Sequence, residues 1–241
     1  MTYPSSQPPA PAIVGELADG RPVRAVWVND EGGVTFRLDT GRSAREFVKV
    51  ADVPGTDFAA EAARLRWAAR YAAVPRVLGF GVDADRAWLH TRGLPGLSAV
   101  HPSWQRVPDV AVRAIGAGLR QLHDGLPTRT CPFDWSTTGR LAALTAAARL
   151  RVGEAPPVDR LVVCHGDACA PNTLIGDNGR CCGHVDVGDL GVADRWADLA
   201  VATLSLGWNY PGRNWEPEFF TAYGVEPDPA RIDYYRRLWQ A

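Results

Sequence analysis

Two stretches of the chain carry residues that can act together: Cys164-His165-Gly166-Asp167-Ala168-Cys169-Ala170-Pro171-Asn172, and then His184-Val185-Asp186-Val187-Gly188. An aspartate is followed five positions later by an asparagine, and then by a second aspartate two residues before a glycine. This order suits phosphoryl transfer from a metal-bound nucleotide. Asp167 is the candidate base, orienting an acceptor hydroxyl and taking its proton. The amide oxygen of Asn172 and the carboxylate of Asp186 are hard oxygen ligands of the kind Mg²⁺ takes. Taken alone, Asp167 reads as a turn residue after a buried strand, and Asn172 as a turn residue after Pro171. The joint spacing is what turns them into a site. Asp186 lies between two valines at a strand end, where a carboxylate needs a partner that a metal ion supplies.

A second candidate group lies upstream. Lys49 sits in Phe47-Val48-Lys49-Val50, a strand-like run. It is either a solvent-edge lysine or a grip for nucleotide phosphates, fixed by a carboxylate on the following helix. Glu61 is the carboxylate well inside that helix. No G-x-G-x-x-G loop precedes Lys49, so the turn with Gly32-Gly33 is the weak alternative cover for the phosphates. The rival chemistry is a metal centre built from Cys164, His165, Cys169, Cys181, Cys182 and His184. Zinc favours thiolate and imidazole. No C-x-x-C pair is present, and neighbours Cys181 and Cys182 point to opposite faces of a strand, so ordinary buried thiols are the expectation.

The elements that must position these groups follow from periodicity. Strands are expected at 23–28, 33–39 and 44–50, with Pro54-Gly55 as the break. A helix follows over about 57–71, with Thr56 or Asp57 as its cap and Phe58, Ala62, Leu65 and Ala69 as its stripe. Two more strands fit 76–82 and 86–91. From Gly93 onward the texture turns helical, with helices at 108–123, 140–150, 195–206, 216–223 and 229–239. Residues 161–163 form a short strand leading into the Asp167 loop, and 173–175 with 180–185 form a hairpin. The expected organisation is a frayed Pro/Ser-rich 1–22, an N-terminal nucleotide-binding lobe over 23–92 and a C-terminal catalytic and substrate-binding lobe over 93–241. The fold class is α+β and bilobal, with a small sheet-plus-helix lobe and a larger, mainly helical one.

At 241 residues, 46% apolar and 22% charged, the chain has enough material for a real core. Its formal net charge of −1 argues against nucleic acid or an anionic membrane surface as partner. Five cysteines without a signal-type N-terminus point to the cytoplasm. The expected partner is a small molecule, and the expected state a monomer or homodimer.

Beyond the loop itself, Phe47-Val48-Lys49, the segment Glu61 to Trp67, Leu122-His123, Cys131 to Asp134, and Leu190 to Ala200 form a set with it. The loop reads HGD rather than HRD, which points to kinases of small molecules. On these motifs, from about residue 24 to the end, the chain resembles the aminoglycoside 3'-phosphotransferases of the kanamycin/neomycin kinase type. The resemblance implies a protein-kinase-like fold and ATP-Mg²⁺ chemistry, with GTP as an alternative donor. It implies Asp167 as base, Asn172 and Asp186 on magnesium, and Lys49 with Glu61 positioning the phosphates. It also implies Phe47 against the adenine, backbone of Arg92, Gly93 and Leu94 reading its edge, and Asp198 as a structural acid. The departures concern the acceptor. Asp189 stands where relatives carry arginine after the D-x-G, Leu204-Ser205 and Trp208 stand in place of polar residues near the aminoglycoside, and Trp239-Gln240-Ala241 replaces an acidic pair. Asp189, Trp208 and Trp239 are therefore candidate substrate contacts. A less cationic acceptor, such as a nucleoside antibiotic, is the alternative expectation, with a non-catalytic nucleotide-binding relative behind it.

Overall fold

The computed structural model describes residue 4 and residues 6–29, 32–39, 45–53 and 58–241. The expected break at Pro54-Gly55 and caps at Thr56 or Asp57 lie outside these residues. The chain divides into two compact units, one of residues 1–69 and 74–95, the other of 70–73 and 96–241.

The first unit opens with α1 (Ala12–Ala18), then β1 (Val23–Val28), β2 (Val34–Asp39), β3 (Arg45–Asp52), α2 (Phe58–Ala68), β4 (Arg76–Asp83) and β5 (Arg86–Arg92). The strands form one antiparallel sheet in the order β1-β2-β3-β5-β4. Period-two alternation sorts β3 into two faces. Val48 and Val50 are buried with Phe36, Leu38 and Ala25, and α1 covers this face with Ile13, Val14 and Ala18. Phe47 and Lys49 point to the opposite, half-buried face. Residues 12–18 thus correct the expectation of a frayed 1–22: α1 is short, but it closes an apolar sheet face. Arg21 fastens it, donating to the carbonyls of Leu17 and Ala18 and to Glu46 Oε2 (2.9 Å).

The second unit holds β6 (Leu97–Ser98), α3 (Pro102–Gln105), α4 (Pro108–Gly125), α5 (Thr137–Ala143), α6 (Ala146–Val152), β7 (Leu161–Cys164), β8 (Thr173–Ile175), β9 (Cys181–His184), β10 (Gly191–Asp194), α7 (Trp196–Asn209), α8 (Glu216–Tyr223) and α9 (Pro229–Trp239). Two small antiparallel sheets matter for the site. In one, β8 and β9 form a hairpin with β6 along its edge; in the other, β7 pairs with β10. The Asp167 loop connects β7 to β8, and the Asp186 turn connects β9 to β10, so both loops leave paired strands. The helix expected over 140–150 is two helices. Leu144 turns extended (ψ 152°), and Thr145 caps α6 by accepting the N–H of Ala148 at 3.2 Å.

No helix among the described residues is long and apolar enough to cross a membrane.

Candidate active site

In the first unit, Lys49 Nζ lies 2.7 Å from Glu61 Oε1. The pair joins a strand to the helix that follows it, and Glu61 is buried while the lysine head remains partly exposed. Two residues along the same face is Phe47. Its ring rests on Gly93, where an added Cβ would collide with the Phe47 ring edge. Only glycine leaves room for this contact. The Gly93 N–H donates to the carbonyl of Arg45 at 2.7 Å, so it is committed within the sheet. Arg92 lies beside Glu46, 3.9 Å away, and Leu94 is half-buried.

In the second unit, the Asp167 loop is built around a carboxylate thirty-odd residues downstream. Asp198, fully buried in α7, accepts the N–H of His165 at 2.6 Å, the N–H of Gly166 at 3.0 Å and His123 Nε2 at 2.9 Å. Burial disfavours its charge, but the hydrogen bonds it accepts from the His123 side chain and the His165 N–H help outweigh this and hold its carboxyl below the usual range. His123 is fixed in turn by the Tyr223 hydroxyl at 2.8 Å.

His165 ties the two loops together. Its Nδ1 accepts the Asp167 N–H at 3.3 Å, which leaves Nε2 to donate to the Val185 carbonyl at 3.0 Å. Gly166 is left-handed (φ +89°), and the backbone of Asp189 packs directly over the place of its missing side chain. The Asp167 loop and the Asp186 turn are thus held by a histidine bridge and by glycine contact.

Asn172 is buried, and its Nδ2 donates to the Asp167 carbonyl and to Asp167 Oδ2, each at 3.0 Å. The amide flips no other way without losing both bonds, so its oxygen is the atom left to face outward. Asp167 Oδ1 is buried and finds no hydrogen-bond partner among the described residues. Asp186 has left-handed backbone (φ +62°), a conformation that costs about 1–3 kcal/mol outside glycine and collects at functional sites. The donor set of an amide oxygen and a carboxylate fits a hard divalent cation.

The cysteine and histidine cluster resolves into separate hydrogen bonds. Cys164 Sγ donates to the Asp194 carbonyl at 3.4 Å, Cys182 Sγ to that of Leu174 at 3.4 Å, and Cys181 Sγ lies 3.6 Å from His184 Nε2. None of the five cysteines forms a disulfide. Burial raises the Cys164 and Cys169 thiols, and pushes Cys181 up to about 11. Burial likewise lowers His184 to about 3. His123, Cys164 and Asp198 have donor atoms within 4.8 Å of one another. That proximity is the buried hydrogen-bond knot behind the loop.

The candidate acceptor residues separate. Asp189 is exposed beside the Asp167 loop. Trp208 and Trp239, 31 positions apart in sequence, are ring neighbours at 5.8 Å between centroids. Trp215, another tryptophan in a late segment, is core: it is buried and donates its indole N–H to the Tyr210 carbonyl at 2.9 Å.

The profile of the phosphotransferase enzyme family matches residues 24–158 and 140–235. An aminoglycoside 3'-phosphotransferase of Streptomyces fradiae is 33% identical over 89% of this chain and 92% of its own length. A streptomycin 3''-kinase of Streptomyces griseus is 30% identical over 97% of each. Among solved structures, the aminoglycoside-3'-phosphotransferase of type VIII superposes with a TM-score of 0.73 at 31% identity, covering 93% of this chain and 96% of the other. The chain superposes on aminoglycoside phosphotransferase APH(3'')-Id of Streptomyces rimosus with a TM-score of 0.71 at 25% identity, covering 94% and 97%. The protein-kinase-like α+β fold expected from the motifs is therefore the fold observed. A family profile and relatives that match nearly the whole length leave one assignment: the chain belongs to the phosphotransferase enzyme family, as an antibiotic kinase that transfers phosphate to a hydroxyl group.

Proposed function

We propose that the protein is an ATP- and Mg²⁺-dependent kinase of an aminoglycoside hydroxyl, acting in the cytoplasm. The single observation that carries the reading is Asp167. One of its carboxylate oxygens is held by Asn172, the other is buried with no well-formed hydrogen bond, and the Cys169 thiol lies near the carboxylate. A buried carboxylate oxygen in that state is costly. An incoming hydroxyl is a donor that satisfies it.

In this reading Asp167 Oδ1 accepts the hydroxyl hydrogen bond and aligns the acceptor oxygen. The oxygen forms the new bond to phosphorus as the bond to the departing diphosphate breaks, and the hydroxyl proton passes to Asp167. Asn172 keeps the carboxylate from rotating away. Asn172 Oδ1 and Asp186 would hold magnesium, which when bound offsets the negative charge of the phosphates. Lys49, set by Glu61, would bind the phosphates, Phe47 would lie against the purine, and the segment Arg92 to Leu94 would read its edge through groups other than the committed Gly93 N–H.

The relatives favour an aminoglycoside over the nucleoside antibiotic considered from sequence. Their names include both 3'- and 3''-kinases, so the hydroxyl is decided by experiment. Purified protein is assayed with kanamycin, neomycin and streptomycin, with ATP or GTP, with and without Mg²⁺. Phosphorylated product located by NMR on one ring position is the expected outcome. Nucleotide binding without transfer to any of them would overturn the reading.

A further inference from the structure

α7 leads from the site to an unusual aromatic surface. Ser205 Oγ accepts the N–H of Ala170 in the Asp167 loop at 2.8 Å. Asn209 Nδ2 donates to Ser205 O and Oγ at 2.9 and 3.1 Å. Ser205, Trp208 and Asn209 are spaced as neighbours on one side of a helix. The helix side that touches the loop therefore continues to Trp208, which is 55% exposed. α9 brings Trp239 against it, with ring planes tilted by 42°, short of a closed parallel stack.

Four of the five acids of α8, α9 and the turn before α9 are already committed to arginines; the fifth, Glu226, is exposed. Glu216 holds Arg236 at 2.6 Å, Asp228 holds Arg231 at 3.1 Å, Glu218 pairs with Arg213, and Asp233 pairs with Arg237. These four carboxylates each have a cation, whereas Trp208 presents an apolar, electron-rich face to water beside the half-buried Trp239.

We propose that Trp208 and Trp239 form a stacking platform for one ring of the acceptor. The ring lies with its C–H face on the indoles, and a ring ammonium is met by the aromatic face rather than by a carboxylate. This specificity device rests on the aminoglycoside reading above.

The test uses full-length protein and the aminoglycoside that gives product in the panel, with wild type, Trp208→Phe and Trp208→Ala. Trp208→Ala is expected to raise the acceptor KM about tenfold, the scale of one aromatic contact, with kcat and the ATP KM nearly unchanged. Trp208→Phe recovers most of the loss. Tryptophan fluorescence of the wild type is quenched on titration with each of the three aminoglycosides, and the quench is largely lost in Trp208→Ala. Unchanged acceptor KM in Trp208→Ala overturns the platform while leaving the kinase reading standing. A panel without any product overturns the kinase reading. In that case the titration still decides the platform, since absent or Trp208-independent quenching overturns it.

Discussion

The two halves of the machinery are secured in opposite ways. In the first unit, Lys49 pairs with Glu61, with 26% of the lysine side chain exposed. In the second, Asp198 has no exposure at all and receives three hydrogen bonds from three residues. A half-buried lysine with a partly exposed side chain can swing to meet phosphates of varied position. A loop nailed to a buried carboxylate is set before anything binds, which is how dipoles and bases act without reorganising during reaction. The first arrangement should tolerate damage that the second does not.

The sharpest way to break this contrast is Asp167→Asn. It keeps the fold and should cost about 10²–10⁴-fold in kcat, the range for a general base. Steady-state turnover with thermal melting checks it, and near-wild-type turnover would sink the base assignment. Next is Asp198→Ala, which strands His123 and two loop N–H groups in the core. Removing one member of a buried charged network costs about 3–5 kcal/mol, so denaturant unfolding should show a large loss together with loss of activity. Lys49→Ala should be gentler on the fold and raise the ATP KM about 10–100-fold, the worth of a charged hydrogen bond. Glu61→Ala should do less, because the lysine remains. If Lys49→Ala unfolded the protein while Asp198→Ala did not, the contrast would be reversed.

The most gradual effect concerns acid. Asp198 is depressed in the folded state, so its contribution is present at neutral pH and lost as pH falls through its folded value. His184 is held neutral, with its folded value lowered to about 3 from 6.5, so the unfolded chain takes up its proton first between those values. Both act in the same direction. Stability should fall by at most about 1.4 kcal/mol per pH unit for each group, for His184 as pH drops from 6.5 toward 3 and for Asp198 only below its ordinary value of 3.8. A melting temperature that rose on acidification would refute this account.

Much of the site was legible because its spacing is local. Asp167, Asn172 and Asp186 stand out by their joint spacing in two short loops, and the structure does bring Asp167 and Asn172 together. Lys49 and Glu61 were legible as a strand lysine and the next helix's inward acid. What sequence could not show depends on long-range partners. His123 meets Asp198 and Tyr223 from 75 and 100 residues away, and no periodicity marks such a meeting. β10 was missed because Gly191–Asp194 is too short to stand out, and it exists only by pairing with β7. α1 was missed because a Pro/Ser-rich lead masks its apolar residues, of which Ile13 and Val14 matter most. The pairing of Trp208 with Trp239 is likewise a product of how α7 packs on α9.

That short first helix bears on how the protein is produced for study. A trimmed version beginning at Val23 would retain every residue assigned to nucleotide, metal or acceptor. It would also lay bare Phe36, Leu38, Val48 and Val50, an apolar sheet face normally under Ile13, Val14 and Ala18. Such a face is an invitation to self-association. Poor yield or inclusion bodies from that trimmed form would report on lost cover rather than on lost chemistry, and a purification tag is better placed ahead of the helix than in exchange for it.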